Sequence, residues 1–377
     1  MVCKHFGTCG GCSYLDIPYT DELRQKEMTL RETLGSYGHL LEGVISAPSP
    51  EGYRNKMELA FGDEGKNGML ALGIRKRRSF YEVASVENCI LIPDDFKEIA
   101  KTVQNYFRNT NEPFFHRKRH IGSLRHLVLR RGEFTGEILI VFSTSSNLQT
   151  PLEPIIAILK AQFSDKLVGI LHSVNDGVAD VVKEENTNLL CGRDYYHEKI
   201  CDLNFKVSAF SFFQTNSAGA EVLYNAVKDM AITKNSSLAY DLYCGTGTIT
   251  QILSPYFEKV VGIELNPKAI EAAKENAKGN EISNCDFIAG DVQILLEGKT
   301  PDVAIIDPPR NGLHPKALTK LISLAPPRLV YVSCKPSSLA RDLEHLTEAG
   351  YKPERAVGVD MFPRTPHVEA IMLLNRC

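Results

Sequence analysis

Three stretches in the last quarter of the chain carry residue types that could do covalent chemistry on a flat ring. Cys334, in Tyr331-Val332-Ser333-Cys334-Lys335-Pro336, places a thiol after an apolar run. Asp307-Pro308-Pro309-Arg310 follows another apolar run, and its two prolines would hold the backbone rigid and set the Asp307 carboxylate beside a planar substrate. Glu369 opens the final apolar stretch and is a candidate general base, with His367 the weaker alternative. A thiolate that adds to one carbon of a pyrimidine double bond makes the neighbouring carbon nucleophilic. A base can then remove the proton left there. Lys335 or Arg310 would lower the thiol pKa. Each residue also has a plainer reading: Cys334 as small buried filler, Glu369 as solvated surface charge and His367 as a strand-edge histidine.

A second group could hold a nucleoside. Asp241-Leu242-Tyr243-Cys244-Gly245-Thr246-Gly247-Thr248 ends an apolar run and leads into a helix, the place where small residues let a nucleotide approach the backbone. Glu264 ends the next apolar run and suits a ribose diol; Asp291 ends a third and suits an adenine amino group. With Asp307 these acids favour an adenosyl cofactor over a dinucleotide, whose glycine pattern is incomplete. The plain alternative is that Gly245 and Gly247 only make a tight turn.

A third group is Cys3, Cys9 and Cys12 with a distant Cys89. Four thiolates suit either zinc or a 4Fe-4S cluster, and spacing does not choose.

The elements that must position these residues fall into two textures. From about residue 53 to 93 and from 123 to 182, short β-rich runs punctuated by Gly and Asn predict an antiparallel α+β domain, with helices over Asp94 to Phe107 and Pro151 to Phe163. An amphipathic stretch, Thr20 to Leu34, predicts a helix ahead of it. From about Ser208, apolar strands alternate with amphipathic helices, which predicts a doubly wound parallel sheet. The expected division is therefore 1–205 and 206–377.

The 377 residues are 43% hydrophobic and 24% charged, which excludes disordered and collagen-like classes. No apolar run reaches the roughly 18 to 20 residues of a membrane span, and the start has no signal core, so the cytoplasm is the expected compartment. The net charge of −3 does not by itself mark a nucleic-acid binder. Arg75-Lys76-Arg77-Arg78, His116 to His120, Arg125 and Arg130-Arg131 nonetheless suggest one basic face, against the plain reading of solvated charge.

Taken in order, Ser211-Phe212-Phe213-Gln214-Thr215-Asn216, the Asp241 to Thr248 loop, Asp307-Pro308-Pro309-Arg310, Tyr331-Val332-Ser333-Cys334 and Met361-Phe362-Pro363 through Glu369 resemble the RNA uracil-5 methyltransferase family. That family includes enzymes for 23S ribosomal RNA and for the T-loop uridine of transfer RNA. The resemblance spans nearly the whole chain. It implies a class I, Rossmann-like α/β methyltransferase domain behind an antiparallel α+β RNA-binding domain. It implies S-adenosyl-L-methionine bound by Gln214, Tyr243, Glu264 and Asp307, which join Gly245, Thr248 and Asp291 in the site. Cys334 would be the nucleophile and Glu369 the base. It also implies a 4Fe-4S cluster on Cys3, Cys9, Cys12 and Cys89, stapling an N-terminal iron-sulfur segment to the basic domain.

Two departures stand out. Family members often carry Asn or a small residue where Lys335 follows the cysteine. Cys3 lies too close to the start for the OB-like domain that some members have, so the short ribosomal type is expected. A monomer acting on 23S rRNA follows, with transfer-RNA uridine 54 as the alternative and the flipped base stacked on Phe114, Phe115 or Tyr81. A cytosine-5 methyltransferase would place its cysteine after proline, unlike Ser333-Cys334. A non-catalytic iron-sulfur RNA-binding factor would need neither Cys334 nor Glu369.

Overall fold

The computed structural model describes residues 3–66, 68–182, 184–234, 237–292 and 299–377. In chain order the first part holds α1 (Tyr19–Thr33), β1 (Leu41–Ile45), β2 (Lys56–Asp63), β3 (Leu70–Arg75), β4 (Val83–Ser85), α2 (Asp94–Arg108), β5 (Leu124–Arg131), β6 (Ile138–Thr144), α3 (Glu153–Phe163), β7 (Leu167–Val174) and β8 (Thr187–Gly192). A hairpin of β9 (Tyr195–Ile200) and β10 (Leu203–Ser208) follows. The remainder is α4 (Ser217–Ala231), β11 (Leu238–Leu242), α5 (Thr248–Leu253), β12 (Lys259–Glu264), α6 (Pro267–Gly279), β13 (Cys285–Ala289), β14 (Val303–Ile306), α7 (Pro315–Leu324), β15 (Arg328–Ser333), α8 (Pro336–Glu348), β16 (Tyr351–Val359) and β17 (Glu369–Arg376).

The first sheet runs β4-β3-β2-β5-β6-β7-β8 and is antiparallel except for the β6–β7 pair, whose parallel partners are joined through α3. Alternation along β5 and β6 feeds two cores. Leu127, Leu129, Ile138, Ile140 and Phe142 pack with Phe96 and Phe107 of α2. Val128, Leu139 and Val141 turn the other way, against Tyr196, Phe205 and Leu223. Both faces of the sheet centre are thus covered, which explains why all seven residues of β6 are buried.

The second sheet runs β1-β16-β17-β15-β14-β11-β12-β13. It is a Rossmann-like parallel sheet in which β17 alone, among the described strands, lies antiparallel to both neighbours. Chain order reverses direction at the β11–β14 pair, the switch point where doubly wound sheets open a ligand crevice. One feature was not expected from the texture of the chain. Residues 19–45 belong with this second sheet: β1 pairs in parallel with β16, and Leu30, Leu34 and Leu41 join the core beneath it. Amphipathic spacing shows that α1 buries a face but not which sheet receives it.

The iron-sulfur segment is not found. Among the described residues, no group of three or more His, Cys, Asp or Glu side chains is arranged to hold a metal ion. Cys3, Cys9, Cys12 and Cys89 do line one small hollow beside Ile74, Val86 and Leu91, but its volume is about 20 Å³, room for one water and not for a cluster. Burial, reinforced by the neighbouring sulfurs, pushes the Cys12 thiol up to about 12. The expected 4Fe-4S cofactor is therefore overturned, and Cys12 and Cys89 serve as small apolar filler in the first core. No helix among the described residues is long and apolar enough to cross a membrane.

Candidate active site

A cavity of about 1300 Å³ opens at the carboxyl ends of the second sheet. Gln214, Tyr243, Gly245, Thr248, Glu264, Asp291, Asp307, Cys334 and Glu369 all line it. Register explains why. The pairs Leu242↔Ile263 and Leu242↔Ile306 bring Tyr243, Glu264 and Asp307 to one level, each one residue beyond a paired position. Glu264 is itself paired with Ala289, two residues before Asp291. The volume exceeds that of one ordinary small-molecule pocket and leaves room for a cofactor beside a base.

The floor turn is built for close approach. Tyr243, Gly245 and Gly247 all have left-handed backbone, with φ of 66°, 54° and 74°. A Cβ on Gly245 would meet nothing within 4 Å, so it would project into open space, whereas one on Gly247 would strike Phe287 at 2.5 Å. The Glu264 carboxylate accepts from Gly245 N (3.2 Å) and Asn266 N (2.9 Å), which fixes it at the turn. Asp241 lies beneath, fully buried; Thr250 Oγ1 donates to its Oδ2 (2.6 Å), while Oδ1 has no partner among the described residues. A cradle without a side chain, an anchored carboxylate and an orphaned buried oxygen fit a nucleoside with hydroxyl and amino donors.

The reacting end is set by β17. Ser333 pairs with Ala370 in the antiparallel β15–β17 ladder. Cys334 and Glu369 stand next to that last pair, one on each strand, and both line the cavity, where the Glu369 carboxyl acts on the Cys334 thiol. The loop before Glu369 is clasped from three parts of the chain. Lys26 Nζ, buried on α1, donates to Asp360 Oδ1 (2.7 Å), to Phe362 O (3.2 Å) and to Glu22 Oε1 (2.8 Å). Tyr53 OH donates to Pro363 O (2.9 Å), and Asn216 both caps α4 and donates to Met361 O (2.9 Å). Phe362 and His367, in the same loop, reach the cavity wall.

A family model described as "Methyltransferase domain" matches residues 234–360, and one described as "tRNA (Uracil-5-)-methyltransferase" matches residues 162–291. RNA methyltransferases of Clostridium tetani and Clostridium acetobutylicum are 45% and 46% identical, each over 99% of this chain and 83% of the relative. The solved Pyrococcus abyssi tRNA (uracil-54, C5)-methyltransferase, in complex with S-adenosyl-L-homocysteine, is 28% identical with a TM-score of 0.81, over 97% of this chain and 86% of that one. The chain belongs to the RNA uracil-5 methyltransferase family. It is an S-adenosylmethionine-dependent enzyme.

The electrostatics of this methyltransferase's cavity are dominated by burial. Burial, with Asp307 beside it, pushes Glu369 up to about 8 against the opposing pull of Arg310. Burial alone pushes Asp307 up to about 7, and burial with Asp307 and Glu264 nearby does the same to Asp241. The Cys334 thiol is raised by burial and then by Glu369 and Asp307, while Arg310 lowers it. Lys335 is exposed, so the cation acting on the thiol is Arg310. Burial and the Arg310, Lys26 and Arg54 charges lower His367.

Three residues at the site had escaped the sequence reading. Tyr224, buried on α4, hydrogen-bonds the Gln214 side chain. Phe212, 76% exposed on the cavity wall, sits in the same motif as Gln214 and could have been found from it. Lys26 offered no signal, because a lysine on an amphipathic helix reads as surface. Of the expected stacking residues, Phe115 is buried under the Arg125 guanidinium (3.6 Å) and Tyr81 already stacks on His116 (4.1 Å). Phe114 packs against the first core.

Proposed function

We propose that this enzyme methylates carbon 5 of a uridine in transfer RNA through a covalent adduct between Cys334 and carbon 6. What supports this reading is that Cys334 and Glu369, each next to the Ser333↔Ala370 pair of the β15–β17 ladder, line one cavity together with Asp307. Transfer RNA is favoured over the expected 23S rRNA because the matching family model and the Pyrococcus structure are both described for transfer-RNA uridines. We assign RNA capture to residues 1–205 and methyl transfer to 206–377, with residues 19–45 lending α1 and β1 to the second part.

S-adenosylmethionine supplies an electrophilic methyl group. Glu264 would accept from its ribose hydroxyls and Asp291 from its adenine amino group, over the open backbone at Gly245, with Gln214, Tyr243, Thr248 and Asp307 completing the enclosure. The Cys334 sulfur bonds to carbon 6 of uracil, and the displaced π pair moves through carbon 5 onto the carbon-4 oxygen. As the carbon-4 enolate collapses, carbon 5 takes the methyl group, whose bond to the sulfonium sulfur breaks and leaves S-adenosylhomocysteine. Glu369 then accepts the carbon-5 proton, the S–C6 bond breaks, and the double bond is restored with release of the thiolate. Arg310, opposing two carboxyls, favours the thiolate form needed for the first step.

The test uses transfer-RNA transcripts carrying 5-fluorouridine, where fluorine blocks the proton removal. With S-adenosylmethionine, wild type is expected to form an adduct stable to denaturation and Cys334→Ala none. Equal behaviour of the two would remove Cys334 from the mechanism. Mapping 5-methyluridine in RNA from a deletion strain tests the substrate separately: loss from transfer RNA is expected, and loss from 23S rRNA alone would overturn that assignment while leaving the adduct chemistry intact.

A further inference from the structure

Two loops of the first sheet meet outside the cavity. The β3–β4 loop carries Arg77, Arg78 and Phe80, and the 114–121 loop, closed by the His116↔Ile121 bridge, carries Lys118 and Arg119. They are locked together. Tyr81 stacks on His116 with centroids 4.1 Å apart, and Lys118 Nζ sits 5.0 Å above the Phe80 ring. Arg75 donates to Phe80 O (2.8 Å) and to Asp180, and Arg117 lies 3.2 Å from the same carboxylate.

What remains outward is distinctive. Arg77, Arg78, Lys118 and Arg119 are exposed and form no ion pair among the described residues, so their charge is available to a partner. Phe80 is 54% exposed, and Ile121, which closes the second loop, is 58% exposed. Unpaired cations around an exposed aromatic ring are the combination that binds single-stranded nucleic acid, since phosphates take the charge and an unstacked base takes the ring. A duplex keeps its bases stacked inside and offers the ring nothing.

The assembly is also at a useful distance. β5 runs from Arg125 and His126, beside it, to Arg130, whose guanidinium donates to Ser211 O on the cavity wall. Five residues of strand span about 17 Å. Asp180 is joined to Glu184, another cavity residue, by four residues and so by at most about 14 Å of chain.

We propose that these two loops form a docking platform for the unpaired RNA strand flanking the target uridine, with Phe80 stacking on one base and Arg77, Arg78, Lys118 and Arg119 holding phosphates. The inference rests on the reading of this enzyme as an RNA uridine methyltransferase. It adds where the RNA is held and in what form.

The test measures the affinity of the full chain for a fluorescent transfer-RNA transcript across a salt series, for wild type, Phe80→Ala and the combined R77A/R78A/K118A/R119A variant. Phe80→Ala should weaken binding at least about fivefold with the salt slope unchanged, as loss of one stacked base does. The combined variant should flatten the log–log slope by roughly 0.7 for each phosphate no longer neutralised. In both, KM for RNA should rise far more than kcat falls, and S-adenosylmethionine affinity, read by calorimetry, should stay at the wild-type value as a check on folding. A single-stranded oligonucleotide should compete and a fully paired duplex should not. Unchanged affinity for Phe80→Ala, an unchanged slope for the combined variant, or equal competition by duplex overturns the platform. Failure of the reading beneath it would look different: wild type would bind RNA yet form no 5-fluorouridine adduct.

Discussion

In the strand-end cavity, Asp241, Asp307 and Glu369 are crowded together away from water, and burial lifts them to about 7, 7 and 8. In the loop between β7 and β8, Asp180 is less deeply buried, and there burial is outweighed by a hydrogen bond from His126 (2.8 Å) and by Arg75 and Arg117, which hold it down to about 2. Asp360, at the start of the loop before Glu369, also has a buried cation beside it, Lys26 2.7 Å away. The difference is one of partners as well as of depth. An acid buried beside other acids becomes a proton acceptor near neutral pH, whereas one buried beside cations becomes a fixed charge that ties loops together.

The comparison can be broken by neutralising each kind of group, because the two should respond with opposite sign. Lys26→Met removes the cation between Glu22 and Asp360, whose side chains are all but inaccessible. A destabilisation of about 3 to 5 kcal/mol is expected in denaturant melts, and a loss below about 1 kcal/mol would mean that the clasp is not held by charge. Asp180→Asn should cost about 2 kcal/mol at pH 7. Because the folded value is depressed, that contribution is present above about pH 4 and fades as pH falls towards 2, so wild type and variant should converge in acid. Parallel curves would refute the pairing.

Glu369→Gln should do the reverse. With a folded value near 8, the folded protein holds its proton more tightly than the unfolded chain, so wild-type stability falls as pH rises from about 4.5 to 8. The glutamine variant should escape that fall and be more stable than wild type at pH 8, by about 1 to 2 kcal/mol. A less stable variant at that pH would show that the carboxylate is paired after all. Gly245→Ala should lower stability by only about 1 kcal/mol for its left-handed backbone, yet raise the Kd for S-adenosylmethionine, because the new methyl enters the cavity. Unaltered cofactor affinity would place the nucleoside elsewhere.

Much of the second sheet was legible beforehand. Buried parallel strands such as Lys259–Glu264 and Arg328–Ser333 are short apolar runs bounded by polar turns, and they fall in the alternating strand–helix texture expected from about Ser208. The convergence of Tyr243, Glu264, Asp307, Cys334 and Glu369 on one cavity also agrees with motifs at strand ends. Less was legible where tertiary partners decide. Lys26, Arg125 and Arg130 read as surface charge and are buried, because each found acceptors on a distant segment. Cysteine spacing suggested a metal, but spacing says nothing about the room between the sulfurs. Lys335 follows Cys334 in sequence, yet it is Arg310, one strand away, that acts on the thiol.

The central claim is that Cys334 and Glu369 divide the work of one covalent cycle, and a single measurement addresses both. Glu369→Gln is incubated with transfer RNA and S-adenosylmethionine, and the mass of the peptide containing Cys334 is recorded after nuclease digestion. The account predicts that the peptide carries a methylated uridine nucleotide, at up to one per enzyme, because the adduct forms and the proton is not removed. Free methylated RNA at the wild-type rate, with an unmodified Cys334 peptide, would contradict it.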